Sequence, residues 1–199
     1  KRRKRPLDLL NLINSRFLIT MVIPLLLLVI FYGKISGLSF SLLTVSALLF
    51  VNGIILYIPQ FLPGSNKDAR SLSRVDGFVM GLGEGLSAIP GLSGIGASVS
   101  VGSVLGVERD YALNMSLMAN LVYLGGMVVY DIIAIVQRGV GQLTFQWLLV
   151  YILTALLAFI GAMLAIRIMR KLAAEKGYAI FSYYCWGIAL FTFILNLMA

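Results

Sequence analysis

The chain contains no histidine and a single cysteine, Cys185, among its 199 residues. Without histidine, it can supply neither histidine-based acid–base catalysis nor a histidine metal site. One cysteine also excludes an internal disulfide framework and a thiolate metal cluster. Acidic residues are few, with 8 against 16 basic residues and a net charge of +8. These absences leave carboxylates, hydroxyls and backbone groups as the candidates for chemistry.

Apolar residues dominate the remaining composition. They make up 60% of the chain, and the mean hydropathy is +0.96. Several apolar runs approach or exceed the roughly 20 residues that a helix needs to cross a bilayer. We therefore predict an all-α integral membrane protein, a polytopic helical bundle forming a single transmembrane domain over 1–199. The predicted spans are 17–33, 41–62, 112–136, 143–166 and 178–198.

The basic residues follow the pattern of an orientation signal. Five of them occupy positions 1–5, in a basic entry segment, 1–16, and most others fall in the predicted loops 63–76 and 167–177. Short basic loops stay on the cytoplasmic side, which predicts an amino terminus inside and a carboxyl terminus outside. No nucleic-acid partner is expected, because these charges are explained by topology.

One stretch, 84–100, combines glycines, a proline, hydroxyls and a carboxylate within apolar sequence. Pro90 removes a backbone donor, and Gly91, Gly94 and Gly96 permit left-handed or strained dihedrals. These residues predict a helix, a broken loop and a second helix. Loose backbone amides at the end of such a half-helix can hold an anion.

Two arms flank the break, and together they cover 77–105. Each arm is shorter than a full crossing, and the charge parity of the loops requires both ends to lie on the same side of the membrane. We therefore predict a re-entrant helix–loop–helix with its tip near mid-membrane. The alternative is a kinked span whose glycines let neighbouring helices approach closely.

Glu84 is the carboxylate of this stretch. A carboxylate inside a membrane is costly unless it is paired, protonated or hydrated, so it is a functional candidate. The alternative is a hydrogen-bonded link between helices. If Glu84 serves a site, Glu84→Gln should abolish turnover or binding and leave the fold nearly intact.

Two other groups of polar residues follow the break. Arg109 either reaches an anionic head group or pairs with Glu108 and Asp110 in a charged turn. Asp131 lies deep in the following span, and the polar residues on earlier turns do not all share its face. We predict no single constellation from that set, which comprises Asn114, Ser116, Asn120 and Asp131.

The region 81–131 resembles the second repeat of the bacterial undecaprenyl-pyrophosphate phosphatase family, also known for bacitracin resistance. In that family a glycine-rich helix leads into P-G-x-S-R-S-G-A-T, then G-x-x-R and a span ending near an aspartate. The regions 16–60 and 147–198 also resemble the family layout, so the resemblance covers nearly the whole chain. The residues in register are Pro90, Gly91, Ser93, Gly96, Ala97, Gly106, Arg109, Ser116, Gly126 and Asp131.

This resemblance implies a membrane phosphatase that removes the terminal phosphate of a polyprenyl diphosphate, the lipid carrier of cell-envelope synthesis. It implies a multi-pass protein of the bacterial cytoplasmic (inner) membrane, with inverted repeats and a transporter-like architecture. Its partners would be the membrane and a polyprenyl diphosphate or phosphate lipid. The oligomeric state stays open, with a homodimer or a larger membrane assembly as candidates.

The implied site draws on the broken stretch and its flank. The catalytic candidates are Glu84, Ser93 and Ser98. The substrate-binding candidates are Pro90, Gly91, Gly94, Gly96, Ala97 and Arg109. Glu84 is also the metal candidate, with magnesium or calcium as the ion, and the alternative is that no cofactor is needed. The diphosphate is expected to lie against the amides of 93–97.

Three departures from the family pattern put hydrolysis in question. Gly94 and Ile95 replace the arginine and the second serine of the motif, and Ser98 matches its threonine only in kind. Asn114 stands where the family usually has glutamate. The family's first repeat has no counterpart here, and the start at Lys1 suggests a fragment or processed product, so an N-terminal repeat is expected to be missing.

The expected function is therefore that of a family member whose activity is reduced or lost. The alternative is non-catalytic binding or translocation of a polyprenyl phosphate, and a weaker one is a small subunit of a larger assembly. Gly94→Arg with Ile95→Ser should raise the rate, provided that position 94 accepts a side chain.

Overall fold

A computed structural model describes residues 15–35, 39–62, 67, 71–138, 145–176 and 179–198. The described residues form an all-helical membrane protein, as predicted. Its α-helices are α1 (Ser15–Ile35), α2 (Leu42–Tyr57), α3 (Arg74–Gly85), α4 (Gly94–Val104), α5 (Arg109–Arg138), α6 (Phe145–Lys176) and α7 (Ala179–Met198). Short 3-10 turns, Ile58–Phe61 and Leu86–Ala88, extend α2 and α3.

Four of the described helices are long and apolar enough to cross a membrane. Their apolar windows are Leu42–Phe61, Arg109–Gln137, Leu148–Ile168 and Ala179–Met198. They correspond to four of the five predicted spans. α1 occupies the position of the remaining one, but its described apolar part, Arg16–Ile30, is shorter. Its crossing of the membrane stays a prediction.

The start of α3 differs from the prediction. We expected the helix to begin at Gly77, whereas it begins at Arg74. Ser73 and Asp76 form a capping box: the Ser73 hydroxyl accepts from the Asp76 amide at 3.1 Å, and the Asp76 carboxylate accepts from the Ser73 amide at 2.9 Å. This reciprocal pair satisfies two amides that a helix start leaves free. The predicted loop is therefore shorter, and 63–66 and 68–70 lie outside the described residues.

Two further segments predicted as turns are helical. α5 already begins at Arg109, where the Ala112 amide donates to the Glu108 carbonyl at 2.8 Å. α6 continues to Lys176 through most of the predicted basic loop 167–177. The segment contains leucine, alanine, arginine, lysine and glutamate, which favour helices, and no glycine or proline before position 177. The predicted entry segment lies outside the described residues up to position 14.

The helices pack in two groups. α1 packs against α3 and α5, and α2 packs against α7, while α4 contacts α2, α3 and α5. The approach of α3 to α1 is close, since a Cβ on Gly81 would lie 2.2 Å from the Met21 carbonyl oxygen. The glycines of α3 thus permit backbone contact, as the alternative interpretation of the break expected. The buried core comprises Phe17, Met21, Leu25, Met80, Val99, Val107, Tyr111, Ala112, Leu113, Met115, Ala119 and Tyr123.

The structure also contains the predicted break at Pro90 and a short helix on each side of it, α3 and α4. α3 and α4 contain 12 and 11 residues, so each is far shorter than a bilayer crossing at about 1.5 Å per residue. Their outer ends are linked by Lys67, whose amide donates to the Gly106 carbonyl and whose carbonyl accepts from the Glu108 amide, both at 3.0 Å. The Lys67 ammonium also lies 3.6 Å from the Asp76 carboxylate. Both ends of the pair therefore lie together, as a re-entrant pair requires. Its depth in a bilayer stays a prediction.

Candidate functional site

The loop between α3 and α4 is held in shape by short-range backbone bonds. The amides of Ile89 and Leu92 donate to the carbonyls of Leu86 and Ile89 at 3.0 and 3.1 Å. Gly91 has φ of 93°, a left-handed conformation that favours glycine. A Cβ at this position would lie 3.2 Å from the Val45 carbonyl oxygen, so the loop also lies directly against α2.

Ser93 caps the start of α4. Its hydroxyl accepts from the Gly96 amide at 3.2 Å, and its carbonyl accepts from the Ala97 amide at 2.8 Å. The Ser93 amide itself donates to the Asn52 side chain at 2.9 Å. Five amides, those of 93–97, were predicted to hold the diphosphate, and the three just named, of Ser93, Gly96 and Ala97, already have acceptors within the protein. The remaining two, at Gly94 and Ile95, occupy the first helical positions, where no intrahelical acceptor exists.

The predicted site residues divide between two faces of α4. Gly91, Ser93 and Gly96 line a cavity on one side. Ala97 and Ser98 are buried on the other side, 1% and 0% exposed, where α3 and α5 pack. Ala97 and Ser98 lie three and four residues after Gly94, which is also buried, so these three residues share the buried face of α4. Pro90 is exposed at the tip of the loop.

Glu84 lies at the centre of the buried face. Its side chain is 0% exposed. The Asn120 side-chain amide donates to its Oε1 at 2.8 Å, and the Ser116 hydroxyl donates to its Oε2. The Ser98 hydroxyl is buried beside this carboxylate without a hydrogen bond of ordinary geometry. These contacts link α3 to α5 through a buried carboxylate.

Sequence reasoning singled out Glu84 but did not assign its partners. Ser116 and Asn120 are four residues apart, so they lie one turn apart on the same face of α5. That spacing of two polar residues in an apolar helix was the available signal. Their polar neighbours lie elsewhere: Asn114 accepts from the Arg170 guanidinium at 2.9 Å, and Asp131 is exposed.

The described residues do not suit a metal held by the protein. No group of three or more His, Cys, Asp or Glu side chains lies together among them. Both oxygens of Glu84 accept hydrogen bonds instead. We therefore derive no step through a metal, and the magnesium or calcium ion stays a prediction.

The cavity beside Ser93 has a volume of about 430 Å³ and is largely apolar. It lies between α2, α4, α5 and α7. Its polar wall consists of Ser93, Asn52 and Cys185, and Tyr184 also lines it. The remaining lining is Leu49, Leu56, Gly91, Leu92, Ile95, Gly96, Val99, Leu113 and Phe181.

Position 94 has no room for a side chain. A Cβ on Gly94 would lie 2.2 Å from the Glu84 carbonyl oxygen and 2.7 Å from the Ser87 Cβ. Its φ is not in the left-handed region, so the obstacle is the neighbouring backbone and not the dihedral. The condition for restoring an arginine here is therefore not met in this conformation.

Arg109 forms no ion pair with Glu108 or Asp110 among the described residues, and its contact with an anionic head group stays a prediction. Its guanidinium donates to the Pro59 carbonyl at 2.5 Å. It thereby joins the start of α5 to the 3-10 turn after α2. The side chain is half-buried and is not among those that line the cavity.

These features define a polytopic helical membrane protein in which a broken helix pair presents a capped helix start to an apolar cavity. The chain belongs to the family of the bacitracin resistance protein BacA, whose model matches residues 3–191. The resemblance inferred from the motif is thus confirmed.

Three curated relatives are called undecaprenyl-diphosphatase. The protein of Methanobrevibacter smithii is 30% identical over 83% of this chain and 58% of its own length. That of Halothermothrix orenii is 27% identical over 98% of this chain and 72% of its own length. That of Methanothermobacter thermautotrophicus is 27% identical over 81% of this chain and 88% of its own length. The chain therefore spans less than two thirds of the first of these relatives.

Proposed function

We propose that this chain binds a polyprenyl diphosphate lipid at the start of α4 and removes its terminal phosphate. The observation that carries this proposal is the cavity of about 430 Å³, which is apolar along most of its wall and polar where Ser93 caps α4. A lipid with an apolar chain and an anionic head needs both kinds of surface. The name of the relatives supports the same substrate class.

The head group has two groups to contact where this helix start lines the cavity, the Ile95 amide and the Ser93 hydroxyl. The Ile95 amide has no intrahelical acceptor, and the start of a helix carries a partial positive charge that favours anions. The Ser93 hydroxyl accepts from the Gly96 amide, so its own proton is free to be donated to a phosphate oxygen.

The reaction is the attack of water on the terminal phosphorus, with cleavage of the bond to the bridging oxygen. Its products are inorganic phosphate and a polyprenyl monophosphate. Such a transfer depends mainly on positioning and on neutralising charge on the phosphate oxygens. Neutral donors from α4 meet only part of that need, because Gly94 stands where the family motif has arginine. We therefore expect slow turnover.

Glu84 contributes to this site indirectly, by linking α3 to α5. It is fully buried, and its oxygens are occupied by Ser116 and Asn120. A direct catalytic or metal-binding role would require α3 and α5 to separate. That role stays a prediction.

A second function, binding or translocation of a polyprenyl phosphate without hydrolysis, is favoured by one specific observation. The backbone around Gly94 leaves no space for the arginine of the motif, whereas the apolar cavity remains available to a lipid chain. Under either function we expect a multi-pass protein of the cytoplasmic (inner) membrane.

Ser93→Ala tests the proposed site. The hydroxyl is both the cap of α4 and a donor to the head group, so its loss should lower phosphate release from polyprenyl diphosphate in detergent by about tenfold or more. Ser103→Ala is the matched control, because the Ser103 hydroxyl donates only to the Val99 carbonyl of the same helix. We expect its rate to stay near that of the wild type.

Equal rates for wild type and Ser93→Ala would contradict the proposed site. Tight lipid binding by the wild type with no phosphate release would contradict hydrolysis and support the second function.

A further inference from the structure

We infer that Asn52 is a positioning residue: it holds the start of α4 so that Ser93 and Ile95 line the cavity. This inference rests on the proposed function only in its consequence for substrate, since the positioning itself is a property of the fold. Asn52 lies in the span α2 and is 3% exposed. Its side chain makes one contact to the loop and one to α7.

The contact to the loop satisfies an amide that the break leaves without a partner. The Ser93 amide precedes the first helical residue, and it donates to Asn52 Oδ1 at 2.9 Å across 41 positions of sequence. A buried amide without an acceptor is costly, so its partner determines where the chain can lie. Without Asn52, the Ser93 amide would have to turn towards another acceptor, and the cap would move with it.

The second contact fixes the orientation of the Asn52 side chain. Because Oδ1 accepts from Ser93, Nδ2 faces the Cys185 thiol, and it donates to Sγ at 3.2 Å. Cys185 lies in α7 and, like Asn52 and Ser93, lines the cavity. α2 and α7 therefore hold the α4 start jointly, through one amide group that forms part of the wall of the substrate cavity.

Close packing supports the same assignment. A Cβ on Gly96 would lie 2.3 Å from the Leu56 Cδ2 atom, one turn beyond Asn52. Together with the contact of Gly91 to α2, this places α2 against both ends of the Ser93 cap. Packing restricts the distance between loop and span, whereas only the Asn52 bond is directional.

Ser46 offers a matched control on the same pair of helices. It is 6% exposed, and its hydroxyl donates to the Ala189 carbonyl of α7 at 2.8 Å. It therefore also links α2 to α7, but it makes no contact with the loop. Ser46→Ala weakens the helix pair without touching the α4 start.

The experiment compares Asn52→Leu, Asn52→Asp and Ser46→Ala with the wild-type chain in detergent. Amide hydrogen exchange is measured over 89–97, together with kcat and KM for phosphate release from polyprenyl diphosphate. Asn52→Leu should accelerate exchange over 89–97 and lower kcat/KM, each by about tenfold or more, because a directional bond is lost. A carboxyl at this buried position is expected in its protonated form, because an unpaired charge there is costly. Protonated Asp in Asn52→Asp keeps an acceptor for Ser93 and a donor for Cys185, so the variant should stay within about threefold of the wild type. Ser46→Ala should change neither quantity.

The outcomes separate the inference from the proposed function. Unchanged exchange and unchanged kcat/KM in Asn52→Leu would overturn the positioning role. Equal losses in Asn52→Leu and Ser46→Ala would also overturn it, since they would show a general effect of weakening α2 against α7. If the wild type releases no phosphate, hydrolysis fails, and the exchange comparison still decides the role of Asn52. If Asn52→Leu does not fold, Cys185→Ala decides: it should accelerate exchange over 89–97, and unaltered exchange there would overturn the coupling through α7.

Discussion

Glu84 is a buried carboxylate whose hydrogen-bond donors come from the protein itself. A carboxylate without water is stable only when donors replace its hydration. Ser116 and Asn120 supply those donors from adjacent turns of α5. The arrangement favours the interpretation of Glu84 as a link between helices over direct contact with a substrate.

Replacing Glu84 separates these two roles. In Glu84→Gln, the new carbonyl can accept from Ser116 and the new amide can donate to a rotated Asn120, so stability should change little. Glu84→Ala leaves two buried donors unsatisfied, at a cost of about 1–3 kcal/mol each. Thermal unfolding in detergent should therefore show a large loss for alanine and a small one for glutamine. Phosphate release should follow stability in both variants.

A stable Glu84→Gln variant with no phosphate release would contradict the linking role. It would instead support the catalytic or metal-binding role predicted from the sequence.

At the scale of single residues, the sequence identified the chemically unusual positions but not their partners. The carboxylate, the cap residue Ser93 and the break at Pro90 are visible as exceptions within apolar sequence. From the sequence, Asn52 is only a polar residue within a predicted span, because its contact to Ser93 depends on how α2 meets the loop. Tertiary contacts across such a distance leave no local pattern in one sequence.

At the scale of elements, the predicted re-entrant topology depends on the helix pair α3 and α4. Lys67 binds the segments on both sides of the pair, and neither helix is long enough to cross a bilayer. We expect such a pair to enter and leave the membrane on the same side, and this re-entrant topology stays a prediction. Irregular backbone at its tip is tolerated when it is buried in protein or lines a cavity, as the loop beside Ser93 does.

Cysteine labelling tests this topology directly. Val75→Cys and Asp110→Cys, each placed in a Cys185→Ala background, introduce one exposed thiol in the first turn of α3 and another after the end of α4. A membrane-impermeant reagent should label both thiols from one face of sealed vesicles. The Lys67 contacts require this result, because they keep the two ends together. Labelling from opposite faces would exclude the re-entrant pair.

The elements themselves were more predictable than their ends. Long apolar runs specify α2 with its 3-10 turn, α5, α6 and α7, since each run is long enough to cross a bilayer. The predicted end of α6 was wrong because the basic charge of the segment indicated a loop, although its residues favour a helix. The predicted start of α3 was wrong because the capping box lies within a polar stretch that was predicted as a loop.

At the scale of the whole molecule, much of the apolar surface is uncovered. None of the apolar window of α6, Leu148–Ile168, is buried, and many large apolar side chains of α5 and α7 are exposed. Such surfaces suit a bilayer, where apolar contact with lipid carries no cost. A homodimer or a larger assembly would cover part of the same surface, and it stays a prediction.

Family membership follows from nearly the whole chain, whereas activity depends on a few positions. The family model covers residues 3–191, but the resemblance of the motif implies that Gly94 stands in place of an arginine, whose guanidinium would neutralise phosphate charge. Loss of one charged hydrogen bond costs about 1.5–3 kcal/mol, and more when the charge acts in the transition state. Turnover should therefore fall by at least roughly tenfold relative to a family member with the intact motif.

The most direct measurement is the rate of inorganic phosphate release from polyprenyl diphosphate by the full chain in detergent with magnesium, beside a family member that carries the motif arginine. We expect measurable release by this chain that depends on Ser93 and is at least roughly tenfold slower than that of the arginine-bearing relative. Release as fast as the relative's would show that glycine at position 94 does not slow the reaction, and it would contradict the prediction of a degenerate site. No release at any enzyme concentration would contradict the phosphatase itself.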